Sequence, residues 1–212
     1  MRVVAFSDTH GFLPELPDGD ILIFAGDFTR GWDRSTEQCR HFARYLQSQP
    51  HKHKIIIAGN HDRCFEYMPR SSAVEFEQHG ITYLHHQDIF IGQIRVFGSP
   101  YHPRIAGSFG MDRDELRVAW SEIPSDTRIL VTHGPPVHLG LDGDNLGDLM
   151  LAQRVSSMSL PLVHVFGHIH EGFGQIVTNN GYELYNVSYC NESYQPVNHP
   201  VVFEVPDVDK ET

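Results

Sequence analysis

The chain reads as an α/β protein on three observations. Val3 to Phe6, Ile21 to Ala25 and Lys54 to Ala58 are short, nearly continuous apolar runs, the pattern of strands covered on both faces. Between the second and third, Ser35 to Gln49 places Cys39, Phe42, Ala43 and Leu46 at i, i+3, i+4 and i+7, one face of an amphipathic helix. Strand, helix and strand at this spacing imply a right-handed parallel crossover.

The elements follow in order. Ser35 is placed as N-cap of the first helix, with Thr36 and Glu37 opening an acidic first turn and Pro50 marking the stop. A second helix is expected from Arg70 to His79, ending at Gly80. Ile89 to Ile91, Gly92-Gln93 and Ile94 to Phe97 predict a tight hairpin, with Gly92 able to take the positive φ of the turn. Ser99 to Met111, rich in Gly, Pro and aromatics, reads as a loop. Leu116, Ala119, Trp120 and Ile123 mark another helix, and Ile129 to Val131 and Leu162 to Phe166 two more strands. Gly174 to Val177, Tyr182 to Tyr189 and Val201 to Val205 suggest a strand-rich finish, and the acidic end, Asp207 to Thr212, is expected to fray. At 212 residues, with no internal repeat, the chain is expected to form a single domain, 1–212.

Chemistry concentrates where those strands end. Asp8-Thr9-His10, Gly26-Asp27, Gly59-Asn60-His61-Asp62, Thr132-His133-Gly134 and Gly167-His168-Ile169-His170 each follow an apolar run. Open α/β sheets bind ligands at the carboxyl ends of their strands, so one edge can deliver all five clusters. Residues two apart in extended chain share a face, which lets Asp8 with His10, and His168 with His170, enter one pocket. Carboxylate, amide and imidazole without thiolate suit Mn, Fe, Zn, Co or Ni better than Ca or Mg. A lone D-x-H is a cheap match, better read as polar residues satisfied at a strand end. Five clusters in order at strand ends reverse that reading.

The order D-x-H, G-D, G-N-H-D, T-H-G, G-H-x-H resembles the calcineurin-like metallophosphoesterase superfamily over residues 8 to 170. Thr132 to Pro136, His164 to Gly174 and the tail Gln195 to Phe203 are similar to the metallophosphoesterase-domain-containing branch, itself similar to class III cyclic nucleotide phosphodiesterases. The resemblance implies a sandwich of two mixed β-sheets flanked by helices. It implies two divalent transition-metal ions, one held by Asp8, His10 and His170, the other by Asn60, His133 and His168, with Asp27 bridging, and Mn as the metal expected to serve in assays. A metal-bridging hydroxide would attack phosphorus while His61 assists the leaving group, and small phosphodiesters, cyclic nucleotides among them, would be the substrates. The ligand pattern alone specifies only phosphoester hydrolysis, so a phosphomonoesterase or a nuclease remains open. A protein phosphatase would show G-D-x-x-D-R-G, whereas Gly26-Asp27-Phe28-Thr29-Arg30-Gly31 is one residue shorter and lacks the second Asp. A non-catalytic scaffold commonly loses a ligand or the catalytic histidine, and this chain keeps every position.

Charge narrows the partner. Sixteen Lys and Arg against 27 Asp and Glu leave a net charge of -11, the wrong field for polymeric nucleic acid, which is held chiefly through its phosphates. A small phosphodiester is compatible, because bound ions set the local field. Cys39, Cys64 and Cys190 form neither a disulfide framework nor a zinc-knuckle spacing, which points to a reducing compartment. Met1-Arg2 runs straight into a strand and no apolar run spans a bilayer, so no membrane partner and a cytosolic location are expected.

Neighbouring residues carry blander expectations. Asp62 either orients His61 or caps its turn, and Arg63 is assigned to a surface salt bridge rather than a phosphate. His102 is a candidate substrate contact, while Tyr101 and Phe109 either stack on a base or pin their loop. His164 reads as a core histidine with a satisfied hydrogen bond. His41, His51, His53, His79, His85, His86, His138 and His199 read as bystanders, with His51 and His53 on the surface.

Overall fold

The computed structural model describes residues 1–137, 146–158, 162–177 and 181–206. Its first half runs β1 (Arg2–Phe6), β2 (Ile21–Ala25), α1 (Glu37–Gln47), β3 (His53–Ile57), α2 (Cys64–Tyr67), α3 (Pro69–Glu77) and β4 (Thr82–Tyr83). The hairpin β5 (Gln87–Ile91) and β6 (Ile94–Ser99) follows, then β7 (His102–Pro103), β8 (Gly110–Met111), α4 (Arg113–Ser121), β9 (Ile129–Thr132) and α5 (Leu149–Ser156). The chain finishes with β10 (Val163–Phe166), a 3-10 turn at His170–Gly172, β11 (Gly174–Val177), β12 (Glu183–Asn186) and β13 (Val201–Glu204).

Two mixed sheets result. One has the order β13-β1-β2-β3-β4, parallel except for β13; the other has the order β11-β12-β10-β9-β6-β5, parallel through its four central strands. Alternate residues explain the layering. Val3, Ala5, Ile21, Ile23, Ile55 and Ile57 face the second sheet and meet Val96, Ile129, Val131, Val163 and Val165. Their neighbours Val4, Phe6, Leu22, Phe24 and Ile56 point the other way, onto Cys39, Phe42, Ala43 and Leu46 of α1. Phe97 and Leu130 pack likewise against Leu116 and Trp120 of α4 and Leu151 and Val155 of α5. β1, β2, β3, β9 and β10 are therefore buried on both faces along most of their length, which is why their sequences show no polar alternation. At about 1.5–3 kcal/mol per buried large aliphatic or aromatic side chain, these layers dominate the driving force. The sandwich of two mixed sheets flanked by helices is the expected fold, and four parallel-paired strands of the two sheets plus β1 bring their carboxyl ends to a common edge.

Several local expectations need correction. The first helix starts one residue late: its N-cap is Thr36, which makes no side-chain capping bond, while the Ser35 hydroxyl donates to Asp33 Oδ2 and accepts the Glu37 N–H at 3.4 Å from outside the helix. The 99–111 stretch is not wholly irregular, since β7 and β8 pair within it. Sequence reading missed the single-turn α2, and α5, whose Asp148 caps by accepting the Met150 N–H. His51 is 1% exposed, not a surface residue. Arg63 has no carboxylate partner among the described residues: its guanidinium donates to the Tyr67 hydroxyl and lies over the Trp32 and Tyr67 rings. His138 and the end 207–212 lie outside the described residues. Among the described residues no helix is long and apolar enough to cross a membrane.

Candidate metal centre

All five clusters meet at the strand carboxyl ends. Asp8 and His10 follow β1, Asp27 follows β2, Asn60 and His61 follow β3, His133 follows β9, and His168 and His170 follow β10. The first sheet thus contributes four of the seven expected ligands and the second three. The two sheets are joined there by a bridge between Ser7 and Ser188.

Backbone conformation aims the side chains. Asp8, His10, Asp27 and His168 all take positive φ, at 51°, 44°, 65° and 70°. Non-glycine residues there cost about 1–3 kcal/mol each and persist only where the surroundings over-determine them. Close approach does the rest. A Cβ on Gly59 would lie 2.2 Å from Asp27 Oδ1, and one on Gly167 2.0 Å from Asp8 Oδ2, so the motif glycines are spaces through which the chain reaches its own carboxylates.

The polar atoms converge on two neighbouring points. Around one, Asp8 Oδ1 and His170 Nε2 are 3.3 Å apart, and His10 Nε2 lies 3.3 Å from His170 Nε2. Around the other, Asn60 Oδ1 is 2.9 Å from both His133 Nε2 and His168 Nδ1, and Asp27 Oδ2 is 3.4 Å from His133 Nε2. Asp27 belongs with both groups: its carboxylate falls within ligand range of His10 and also of His133 and His168. Every expected ligand is therefore brought together.

Backing groups settle which nitrogen faces inward. His133 Nδ1 meets the Ala25 carbonyl at 2.9 Å and His170 Nδ1 the Asn191 carbonyl at 2.8 Å. A carbonyl only accepts, so both Nδ1 atoms carry the proton and both Nε2 atoms present a lone pair to the centre when the rings are neutral. Asn60 donates its amide to the Ala106 carbonyl, turning Oδ1 inward. Ser7 and Ser188 hydroxyls and the His168 N–H all donate to Asp8 Oδ2, leaving Oδ1 buried without a hydrogen bond and aimed at the centre.

Lone pairs facing lone pairs at these distances repel unless positive charge sits among them. Burial opposes a charge on His133 and His170, yet Asp27 beside the first and Asp8 beside the second outweigh it and push both imidazoles up to about 9. Burial likewise works against the carboxylates, but His170 holds Asp8, and His133 holds Asp27, well below the usual carboxylate range. The donor set fits divalent cations, which deliver that positive charge without protons.

A ring nitrogen of His61 also falls within ligand range of His10 and Asp27. The His61 ring meets His10 edge-on at 4.8 Å, and its Nδ1 is buried without a hydrogen bond. Asp62 does not orient it. The Asp62 carboxylate accepts the backbone N–H of Asp27, Gly59 and Thr29, tying the β2 and β3 turns together, and burial with Asp27 nearby pushes it up to about 7. His102 is fully buried, its ring nitrogens against the Pro103 and Ser108 carbonyls, so it shapes the loop rather than meeting substrate. Tyr101 and Phe109 pack on His85 and pin that loop to the body. His164 is a core residue bonded to the Thr132 hydroxyl at 2.8 Å.

Sequence reasoning missed the C-terminal contribution. Ser188, Asn191 and Tyr194 all bear on the site, Tyr194 with its ring 4.7 Å from that of His10. Trp32, stacked on His61, was also missed. Neither has a motif or a period to announce it.

The calcineurin-like phosphoesterase family model matches residues 1–172. Metallophosphoesterase domain-containing protein 1 of Homo sapiens is 36% identical over 236 residues, covering 97% of this chain and 71% of that protein. A protein of Emericella nidulans named probable rhamnogalacturonate lyase C is 44% identical over 209 residues, 93% of this chain but 19% of that much longer protein. A solved structure shares the fold with a TM-score of 0.65 at 16% identity, covering 87% of this chain and 89% of its own. The chain belongs to the calcineurin-like phosphoesterase family, whose members use divalent metal ions.

Proposed function

We propose that this chain is a binuclear metal-dependent phosphodiesterase acting on small phosphodiesters, cyclic nucleotides among them. Asp8, His10 and His170 would hold one ion, Asn60, His133 and His168 the other, and Asp27 both. When bound, the ions supply an activated water and positive charge at the phosphoryl oxygens. The observation that carries the reading is the inward convergence of carboxylate, amide and imidazole lone pairs that only cations or protons can reconcile.

The chain's own residues account for the rest. His61 lines the mouth of the site and its ring makes no hydrogen bond among the described residues, Nδ1 being buried without one, so its N–H is available to protonate the departing oxygen. General-acid help of this kind is worth about 10²–10⁴ in rate. The mouth is a cleft of about 340 Å³, room for a small ester. Glu171 and Glu192 line it, an acidic rim that repels a polyanion and disfavours DNA or RNA. Beside it, a recess of about 430 Å³ lined by Phe12, Arg30 and Tyr194 suits a flat ring with a polar edge on the ester's alcohol. Cysteines left as thiols fit a cytosolic setting.

Metal analysis of protein purified without chelator, followed by rates on an aryl diester, an aryl monoester, a cyclic nucleotide and single-stranded DNA with Mn, Fe, Co, Ni or Zn, tests the reading. Two ions per chain and preference for the small diesters are expected. No bound metal, or no turnover of any ester with any of these ions, refutes it.

A further inference from the structure

We propose that Trp32 is the positioning residue for His61, holding the imidazole by its face because, among the described residues, no hydrogen bond holds it by an edge. The inference rests on the role given to His61 above.

The main chain of His61 is fixed twice, its N–H donating to Asp27 Oδ1 at 2.8 Å and its carbonyl accepting from the Thr29 hydroxyl at 2.8 Å. The ring is not fixed by such bonds. Its Nδ1 has no partner, and the neighbouring Asp62 carboxylate is engaged by three backbone N–H groups. The terminal torsion of a histidine has broad wells, so an unheld ring would swing. Three aromatic neighbours surround it. His10 and Tyr194 approach edge to face, at 4.8 and 6.0 Å, whereas the Trp32 indole lies parallel, 4.3 Å between centroids and 17° between planes.

Trp32 is itself 47% exposed, which for so large an apolar ring calls for a reason. Its loop is pinned on both sides by one side chain. Gln38 of α1 accepts the Arg30 N–H at 2.6 Å, donates to the Arg30 carbonyl, and donates to Asp33 Oδ2 at 3.0 Å. Gly31 supplies the left-handed turn between, at φ 72°. The Arg63 guanidinium lies over the same indole at 5.7 Å.

A stacked partner does something a carboxylate would not. It fixes the plane of the imidazole while capturing no N–H, so the proton stays free to move in that plane to the leaving oxygen. In that step the His61 N–H bond breaks as the phosphorus–oxygen bond breaks. The proton ends on the alcohol, and the ring regains one from water.

The test uses the whole metal-loaded chain, two methyl aryl phosphates, and Trp32→Leu, Trp32→Phe and Gln38→Ala. One ester carries p-nitrophenol, which departs without a proton, and the other phenol, which needs one more. Trp32→Leu is expected to lower kcat on the phenyl ester about tenfold to a hundredfold with KM within about twofold, and to leave the p-nitrophenyl rate within about threefold. Trp32→Phe should restore most of the loss, and Gln38→Ala should reproduce a smaller part. In a His61→Ala background Trp32→Leu should change nothing further. In metal-free protein the His61 ring-carbon proton, identified by its absence in His61→Ala, should resonate upfield and move downfield in Trp32→Leu but not in Trp32→Phe. Equal losses on both esters, a rise in KM alone, or an undiminished effect without His61 would overturn the proposal. Wild-type protein that turns over neither ester refutes the reading of the site itself, and this proposal falls with it.

Discussion

Gly59→Ala isolates the space on which the site depends. Gly59 is not in the left-handed region, so the backbone tolerates alanine and the effect is steric. The added Cβ would lie 2.2 Å from Asp27 Oδ1 and 2.6 Å from His133 Cε1. Ordinary contact begins at 3.4 Å, so the carboxylate must retreat by 3.4 minus 2.2, or 1.2 Å. Misplacement by about 1 Å costs on the order of 10² in rate. Overpacking a filled site costs about 1–3 kcal/mol, or roughly 2–12 °C in Tm for a chain of this size. The assay is kcat/KM on an aryl diester, with metal content and thermal unfolding on the same sample. A variant that keeps its metal and stays within about threefold of wild type would show that Asp27 is not held where the structure places it.

Three further outcomes follow from the site. Because Asp27 and Asp8 push His133 and His170 up to about 9, both rings are protonated at pH 7 in metal-free protein, and loading must displace those protons. That displacement opposes binding at pH 7, so metal affinity should climb with pH and level off above about 9; calorimetry in buffers of different ionisation heat reads the protons released, and proton-neutral binding at pH 7 refutes the account. For the metal-free fold the sign reverses: the raised proton affinity stabilises it fully below the ordinary histidine value near 6.5, and that stability is lost as pH rises through about 9. Asp62→Asn substitutes an amide donor for one acceptor facing the N–H groups of Asp27, Gly59 or Thr29, and should cost about 1–3 kcal/mol in denaturant unfolding with metal content retained. His61→Ala should keep both metals and lose about 10²–10⁴ in turnover; collapse of metal content would place His61 among the ligands instead.

What the sequence revealed, and what it hid, follows physical lines. β1, β2 and β3 were legible because strands covered on both faces leave unbroken apolar runs. Helix α1 was legible because Cys39, Phe42, Ala43 and Leu46 trace one buried stripe, yet its first residue was not, since Ser35 and Thr36 are adjacent hydroxyl residues and the sequence does not choose between them as N-cap. Helix α2 is too short to show a period. His51 lies within a polar His-Lys-His run, and its burial is set by how the chain packs rather than by its neighbours in sequence. The ligand clusters could be found because each follows its strand immediately. Trp32 and Tyr194 act from irregular segments, where neither periodicity nor spacing marks a residue that will be brought against His61 or His10.

The bond between the Asn191 carbonyl and His170 has a consequence for biogenesis. Every motif has been synthesised by residue 170, but the centre is not complete until the segment holding Ser188 and Asn191 has left the ribosome. The edge of β1 away from β2 is covered later still, since Arg2 pairs there with Glu204. Pairings of such long range form late and slowly. A nascent chain therefore carries an incompletely backed cluster of histidines until Asn191 has emerged, and the tautomer of His170 is fixed only then.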